Sequence, residues 1–135
     1  MEEKPSPTTD RHLIRVLIAE DHLLARAGIR AVVNTQPDMK IVGAAVNGLQ
    51  AVSMYRTLRP DVTLMDMWMP VMDGKTFLHH YWKLPIVHAP VIIMTAYDPI
   101  QQDKDLIRGV ADYLLKPFDL NVMHECIKNN LSKSP

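Results

Sequence analysis

Val62-Thr63-Leu64-Met65-Asp66-Met67-Trp68-Met69-Pro70 is the stretch that decides the fold. It opens as an apolar run of strand length without polar alternation, the pattern of a strand buried on both faces. It then delivers a carboxylate, Asp66, where such a strand should emerge. Pro70 and Asp73-Gly74 close the segment with turn chemistry. An aspartate at a strand end is more often a turn-former than a reactive group, so the reading of Asp66 depends on what the other strand ends carry.

Outward from this run, strands and helical periodicities alternate. Expected strands are Ile14–Ala19, Ile41–Val46, Asp61–Met65, Val91–Met94 and Asp112–Leu115. The first helix, Leu23–Val33, carries Leu24, Ala27, Gly28, Ala31 and Val32 at helical spacing and is stopped by Gln36-Pro37-Asp38. Asn47-Gly48 opens a helix with Leu49, Val52, Tyr55 and Leu58, and a short helix spans Lys75–Lys83. Asp98-Pro99 starts another. Asp119 N-caps the last, which sets Val122, Cys126, Ile127 and Leu131 on one face. This alternation predicts an α/β fold, a doubly wound five-stranded parallel sheet with the flavodoxin-like strand order 2-1-3-4-5. Ligands of such sheets sit beyond the carboxyl ends of the strands, at the switch point between strands 1 and 3.

The 135 residues suit one domain. Residues 1–11, polar with Pro5 and Pro7, read as a disordered lead-in, 12–131 as the domain, and 132–135 as a tail or the start of a linker. Fifteen basic and fifteen acidic residues balance, so no strong field favours nucleic acid, and direct nucleic-acid contact by this chain is not expected. No apolar run is long enough to span a bilayer, and there is no signal-peptide core. The single cysteine, Cys126, excludes an internal disulfide and fits a reducing compartment. The expectation is a cytoplasmic protein with no membrane contact.

The strand ends do carry matching chemistry. Strand 1 ends in Glu20-Asp21, strand 3 in Asp66, strand 4 in Thr95 and strand 5 in Lys116. Three crowded carboxylates repel one another unless a cation joins them. Hard oxygen ligands with room for water and a phosphate oxygen suit Mg²⁺. A lysine and a hydroxyl on the other side would hold an anion. Mg²⁺-assisted phosphoryl transfer onto Asp66 uses every member of the set.

Ala19-Glu20-Asp21-His22, Asp66-Met67-Trp68-Met69-Pro70 with Asp73-Gly74, Thr95-Ala96 and Lys116-Pro117-Phe118 together resemble the receiver domain of two-component response regulators. The resemblance runs from about Ile14 to Leu131, and the four motifs are specific in combination. It implies that Asp66 accepts a phosphoryl group from a sensor histidine kinase. It further implies that Glu20, Asp21, Asp66 and the Trp68 carbonyl surround Mg²⁺, and that Thr95, Ala96, Lys116 and Trp68 hold the phosphoryl group. Thr95 and Tyr113 would be the switch pair, and Lys116-Pro117 a cis bond. A homodimer would form through the face made by the helix before strand 5, strand 5 and the last helix. Glu20 to Gly28 is similar to receivers that precede a helix-turn-helix DNA-binding domain, whereas Lys116-Pro117-Phe118-Asp119 is commoner elsewhere in the family. The chain is then a stand-alone receiver or part of a longer protein.

Two other classes compete. A pseudo-receiver would use the fold as a phosphorylation-independent interaction module, which retention of all five site residues opposes. A Mg²⁺-dependent phosphohydrolase needs a second acid two residues after the nucleophile, where this chain has Trp68. Trp68 and Tyr97, two residues after Asp66 and Thr95, are both aromatic, which predicts a slow loss of phosphoryl group unless both rings point away. Adjacent His79-His80 diverge on a helix, and His12, His22, His88 and His124 lack ligand spacing, so surface or interface roles are expected. Cys126 reads as inert core, and Met65, Met67, Met69 and Met72 as adaptable packing around the acceptor.

Overall fold

The computed structural model describes residues 13–85, 88–96 and 110–132. Five strands, β1 (Ile14–Ala19), β2 (Met39–Ala45), β3 (Val62–Asp66), β4 (Val91–Thr95) and β5 (Asp112–Leu115), form one sheet in the order β2-β1-β3-β4-β5. Every pairing is parallel. The described helices are α1 (Leu23–Thr35), α2 (Gly48–Leu58), α3 (Gly74–Tyr81) and α4 (Leu120–Ser132). The helix expected from Asp98-Pro99 lies outside the described residues.

Period-two alternation divides the sheet residues between two cores. Leu17, Ala19, Met65, Val91 and Ile93 pack with Ala51 and Tyr55 of α2 and Phe77, Leu78 and Tyr81 of α3. Val16, Ile18, Val62, Leu64, Ile92 and Met94 pack with Ile29 and Val33 of α1 and Met123 and Ile127 of α4. β3 and β4 are buried along their whole length, as expected of strands covered on both faces. Pairing between β1 and β2 slips by one residue, with Val16 opposite Ile41 and Leu17 opposite Gly43. A Cβ at Gly43 would stand 2.7 Å from Leu58 Cδ1, the end of a flexible side chain that would have to shift to admit it.

Capping follows the side chains the sequence offers. Asn47 Oδ1 accepts from Gln50 N at 2.8 Å, and Asp73 Oδ1 accepts from Thr76 N at 2.8 Å. Asp119 Oδ1 accepts from Asn121 N at 2.6 Å at the start of α4. β2 starts two residues before the expected Ile41 and ends at Ala45, and Asp66 closes β3 rather than following it. α3 starts at Gly74, one turn-residue earlier than Lys75, because Asp73 is its cap.

Three helix faces differ from the periodicity reading. In α1, Leu24 is 86% exposed and Ala27, Gly28 and Ala31 are exposed, whereas Ile29 and Val33 are buried. Alanine and glycine count as apolar in a periodicity but carry little surface; turning Ile29 and Val33 inward removes more apolar area from water. Leu49 of α2 is exposed. In α4 the buried face is Met123, Ile127 and Asn130, while Val122 is exposed and Cys126 half-buried. Cys126 Sγ lies 3.5 Å from Asp112 Oδ2, which also accepts from Asn130 Nδ2 at 3.0 Å. The cysteine therefore borders a polar cluster rather than lying in inert core.

Candidate functional site

Hydrogen bonds that continue past the strand ends hold the polar residues in place. Glu20 N donates to Ala45 O at 3.0 Å, Met67 N to Met94 O at 3.1 Å and Lys116 N to Thr95 O at 2.7 Å. Each residue just beyond one strand is thereby tied to its neighbour. Glu20, Asp21, Asp66, Thr95 and Lys116 gather at the carboxyl edge of β1, β3, β4 and β5. The Lys116-Pro117 bond is cis.

The loop after Asp66 is shaped by backbone contacts. Gly74 N donates to Met67 O at 2.9 Å, Gly48 N donates to Met72 O at 2.7 Å, and Met72 N donates to Pro70 O at 2.6 Å. The last bond closes a three-residue turn around Val71, whose φ of 67° is left-handed and strained for a β-branched residue. Met65, Met67 and Met69 are buried and Met72 packs against them, so these side chains fill the core under the loop. Trp68 projects at 56% exposure.

Glu20 is fully buried and Asp66 is 4% exposed. Lys116 Nζ donates to Glu20 Oε1 at 2.9 Å and to Asp66 Oδ1 at 3.3 Å, acting as the cation between two carboxylates. Burial, followed by the charge of Glu20, pushes the Asp66 carboxyl from 3.8 up to about 6. Burial would raise Glu20 too, but hydrogen bonds from Lys116 and from the His22 N–H outweigh it and hold that carboxyl below the usual range. Burial opposes the charge on Lys116, yet its bond to Glu20 and the charge of Asp66 raise its pKa.

The donor set fits a hard divalent cation. Ligand atoms of Glu20, Asp21, His22 and Asp66 all lie within 4.8 Å of one another. Asp21 Oδ1 is buried without a hydrogen bond and lies 3.4 Å from His22 Nδ1. A cation there would neutralise the carboxylates that Lys116 only partly balances.

Sequence reasoning missed two members. His22 Nδ1 lies 3.1 Å from Glu20 Oε2 and 3.4 Å from Asp21 Oδ1, and these acids, Glu20 first, raise the pKa of its imidazole. Arg26 Nη1 donates to the Glu20 carbonyl at 2.9 Å. The usable signal was position, directly after the acidic pair and one helical turn on. The remaining described histidines lie elsewhere: His79 and His80 are exposed, and His124 faces Asp38 at 3.4 Å. The half-buried His88 ring packs against Tyr81 and Trp82. His12 and Tyr97 lie outside the described residues.

Thr95 is 2% exposed at the end of β4, and Ala96 follows it exposed. Tyr113 is half-buried on β5, paired with Ile93, and lines a groove of about 510 Å³ with Leu115, Phe118 and Val122. None of the described helices is long and apolar enough to cross a membrane.

Residues 16–128 match the family described as the response regulator receiver domain. The chain is 34% identical over 130 residues to the transcriptional regulatory protein YdfI of Bacillus subtilis, covering 90% of this chain and 58% of that protein. It is 36% identical over 106 residues to protein-glutamate methylesterase/protein-glutamine glutaminase 1 of Dechloromonas aromatica, covering 76% of this chain and 30% of that one. The chain thus spans less than two thirds of either relative. Among solved structures it is similar to the response regulator domain of Thermotoga maritima CheB, with a TM-score of 0.79, 28% identity, and 91% and 99% of the two chains covered. The REC domain of AraT, a response regulator from Geobacillus stearothermophilus, gives a TM-score of 0.74 at 35% identity, covering 89% of this chain and 94% of that one. With its sheet order, its edge of acids and lysine and a family match across nearly the whole fold, this chain belongs to the receiver domains of two-component response regulators.

Proposed function

We propose that the domain is a phosphorylation-driven switch in which Asp66 takes a phosphoryl group from the histidine of a sensor kinase. A carboxylate oxygen of Asp66 forms the new O–P bond while the P–N bond of the donor breaks, its electron pair staying on the donor nitrogen. The observation that carries this reading is Asp66 itself: buried, 3.3 Å from Lys116 Nζ, and with a pKa of about 6 still ionised at neutral pH. Glu20, Asp21, Asp66 and the Trp68 carbonyl would hold Mg²⁺, which when bound supplies positive charge for the oxygens of the transferred group. Lys116 would exchange its carboxylate bonds for a phosphoryl oxygen, and the Thr95 hydroxyl and the backbone at Trp68 and Ala96 would take the others.

The switch follows from those contacts. Drawing Thr95 toward the phosphoryl group opens space into which Tyr113 turns, which alters the surface of β5 and the start of α4. This needs two states separated by a small free energy and a group that bonds to only one of them. A second copy of the chain would dock on that remodelled surface, and the sensor kinase is the partner at the acceptor. Residues 12–131 form the receiver, and a DNA-binding or catalytic effector domain such as those of its relatives would belong to a longer parent.

Incubation with a small phosphodonor and Mg²⁺ tests the reading by intact mass. Wild type should gain one phosphoryl group; Asp66→Asn, which keeps size and shape but not the nucleophile, should gain none. Equal uptake by both would place the acceptor elsewhere, and no uptake by wild type would favour the phosphorylation-independent interaction module.

A further inference from the structure

The imidazole of His22 has no part in the reading above, yet it stands at the mouth of the acidic cluster. Glu20 and Asp66 form the buried floor, Asp21 is part-exposed, and the His22 side chain is 72% exposed above them. In an octahedral site with bonds of about 2.1 Å, adjacent ligand atoms stand about 3.0 Å apart and opposite ones about 4.2 Å. His22 Nδ1 is 3.1 Å from Glu20 Oε2 and 3.4 Å from Asp21 Oδ1. The whole set, Asp66 included, falls within 4.8 Å. The His22–Glu20 separation is that of a hydrogen bond, so a cation entering the cluster would displace the proton the two side chains share; the ligand atoms then need to close only from 4.8 Å to about 4.2 Å to become a coordination shell. Asp21 Oδ1 is buried and accepts no hydrogen bond.

We propose that His22 supplies an imidazole nitrogen to the divalent cation of this site, giving a mixed nitrogen and oxygen shell that favours Mn²⁺ over Mg²⁺. Carboxylate and carbonyl oxygens suit both ions, whereas an imidazole is a good ligand for first-row transition ions and a poor one for Mg²⁺. The inference rests on the metal-binding reading above and adds a preference to it. His22→Ala removes no side-chain cap of α1 but does remove the bond to Glu20 Oε2, so the ratio of Mn²⁺ to Mg²⁺ affinity, and not the affinity of either ion alone, is the readout.

The test is Mn²⁺ titration of the unphosphorylated protein followed by electron spin resonance, with Mg²⁺ as competitor, for wild type, His22→Ala and Asp21→Asn. Wild type should show ¹⁴N modulation from a directly bound nitrogen, and His22→Ala should lose it. The Mn²⁺-to-Mg²⁺ affinity ratio should fall about tenfold in His22→Ala, the lower end of what losing even an outer-shell partner costs a metal site. Asp21→Asn should weaken both ions together. An unchanged ratio, or ¹⁴N modulation absent from wild type or persisting in His22→Ala, overturns the role of His22 and leaves Mg²⁺ binding standing. Failure of both ions to bind wild type overturns the metal-binding reading itself and the preference with it.

Discussion

In the proposed transfer Asp66 must be ionised to attack, and its surroundings make ionisation expensive. Its folded pKa of about 6 lies above the ordinary 3.8, so the folded domain holds this proton more tightly than the unfolded chain does. The associated stability is fully present below pH 4 and is lost as the pH rises through 6. Two units correspond to about 3 kcal/mol, carried as a burden by the metal-free protein above neutrality. Asp66→Asn should therefore stabilise the metal-free domain by about 2–3 kcal/mol at pH 8, with the gain shrinking toward zero near pH 4, as measured by urea unfolding. A gain independent of pH would contradict the burial argument. The same burden predicts that Mg²⁺ raises the melting temperature of wild type more than that of Asp21→Ala. At the same scale, neither Trp68 nor Tyr97 offers a carboxylate or amide to orient an attacking water. Trp68→Asn and Tyr97→Glu, singly and together, should speed loss of the phosphoryl group; slower or unchanged decay in the double variant would remove these positions from the account.

Elements show where strain and close approach serve the site. Val71 occupies a left-handed conformation at 78% exposure, so its side chain gains little from packing to offset the strain. Val71→Gly should stabilise the domain by about 1 kcal/mol, because glycine has no Cβ to clash in a turn of positive φ. Gly74 presents the opposite case. A Cβ there would meet Asp66 O at 2.9 Å and Met67 Cα at 3.2 Å, both backbone of the acceptor segment. Gly74→Ala should destabilise by about 1–3 kcal/mol and slow uptake of the phosphoryl group, since only displacement of that segment relieves the contact. Much of this level was legible beforehand. The strands and two of the caps follow from apolar runs and from Asn47 and Asp119, whereas Asp73, read as a turn residue, caps α3. The face that α1 buries was not legible, because Leu24, Ala27, Gly28 and Ala31 repeat at the right spacing but contain too little surface to decide the rotation. Ile29 and Val33 decide it, through contacts with strands distant in sequence.

Across the whole molecule, the site is assembled from four strand ends that only the parallel order brings together. Each apolar run that breaks at a polar residue marked one corner, so Glu20, Asp66, Thr95 and Lys116 were readable together. His22 and Arg26 were marked by position alone, because their contacts depend on the direction in which the chain leaves β1 to enter α1. The central claim joins this edge to a distant surface: phosphorylation of Asp66, sensed by Thr95, must reach Tyr113 and the groove it lines with Leu115, Phe118 and Val122. Amide spectra of wild type and Thr95→Ala, recorded with Mg²⁺ before and after a small phosphodonor, measure that link directly. Both proteins should take up the phosphoryl group, but only wild type should shift its resonances along β5 and the first turn of α4. Identical shifts in the two proteins across that surface, or none in phosphorylated wild type, would contradict the switch.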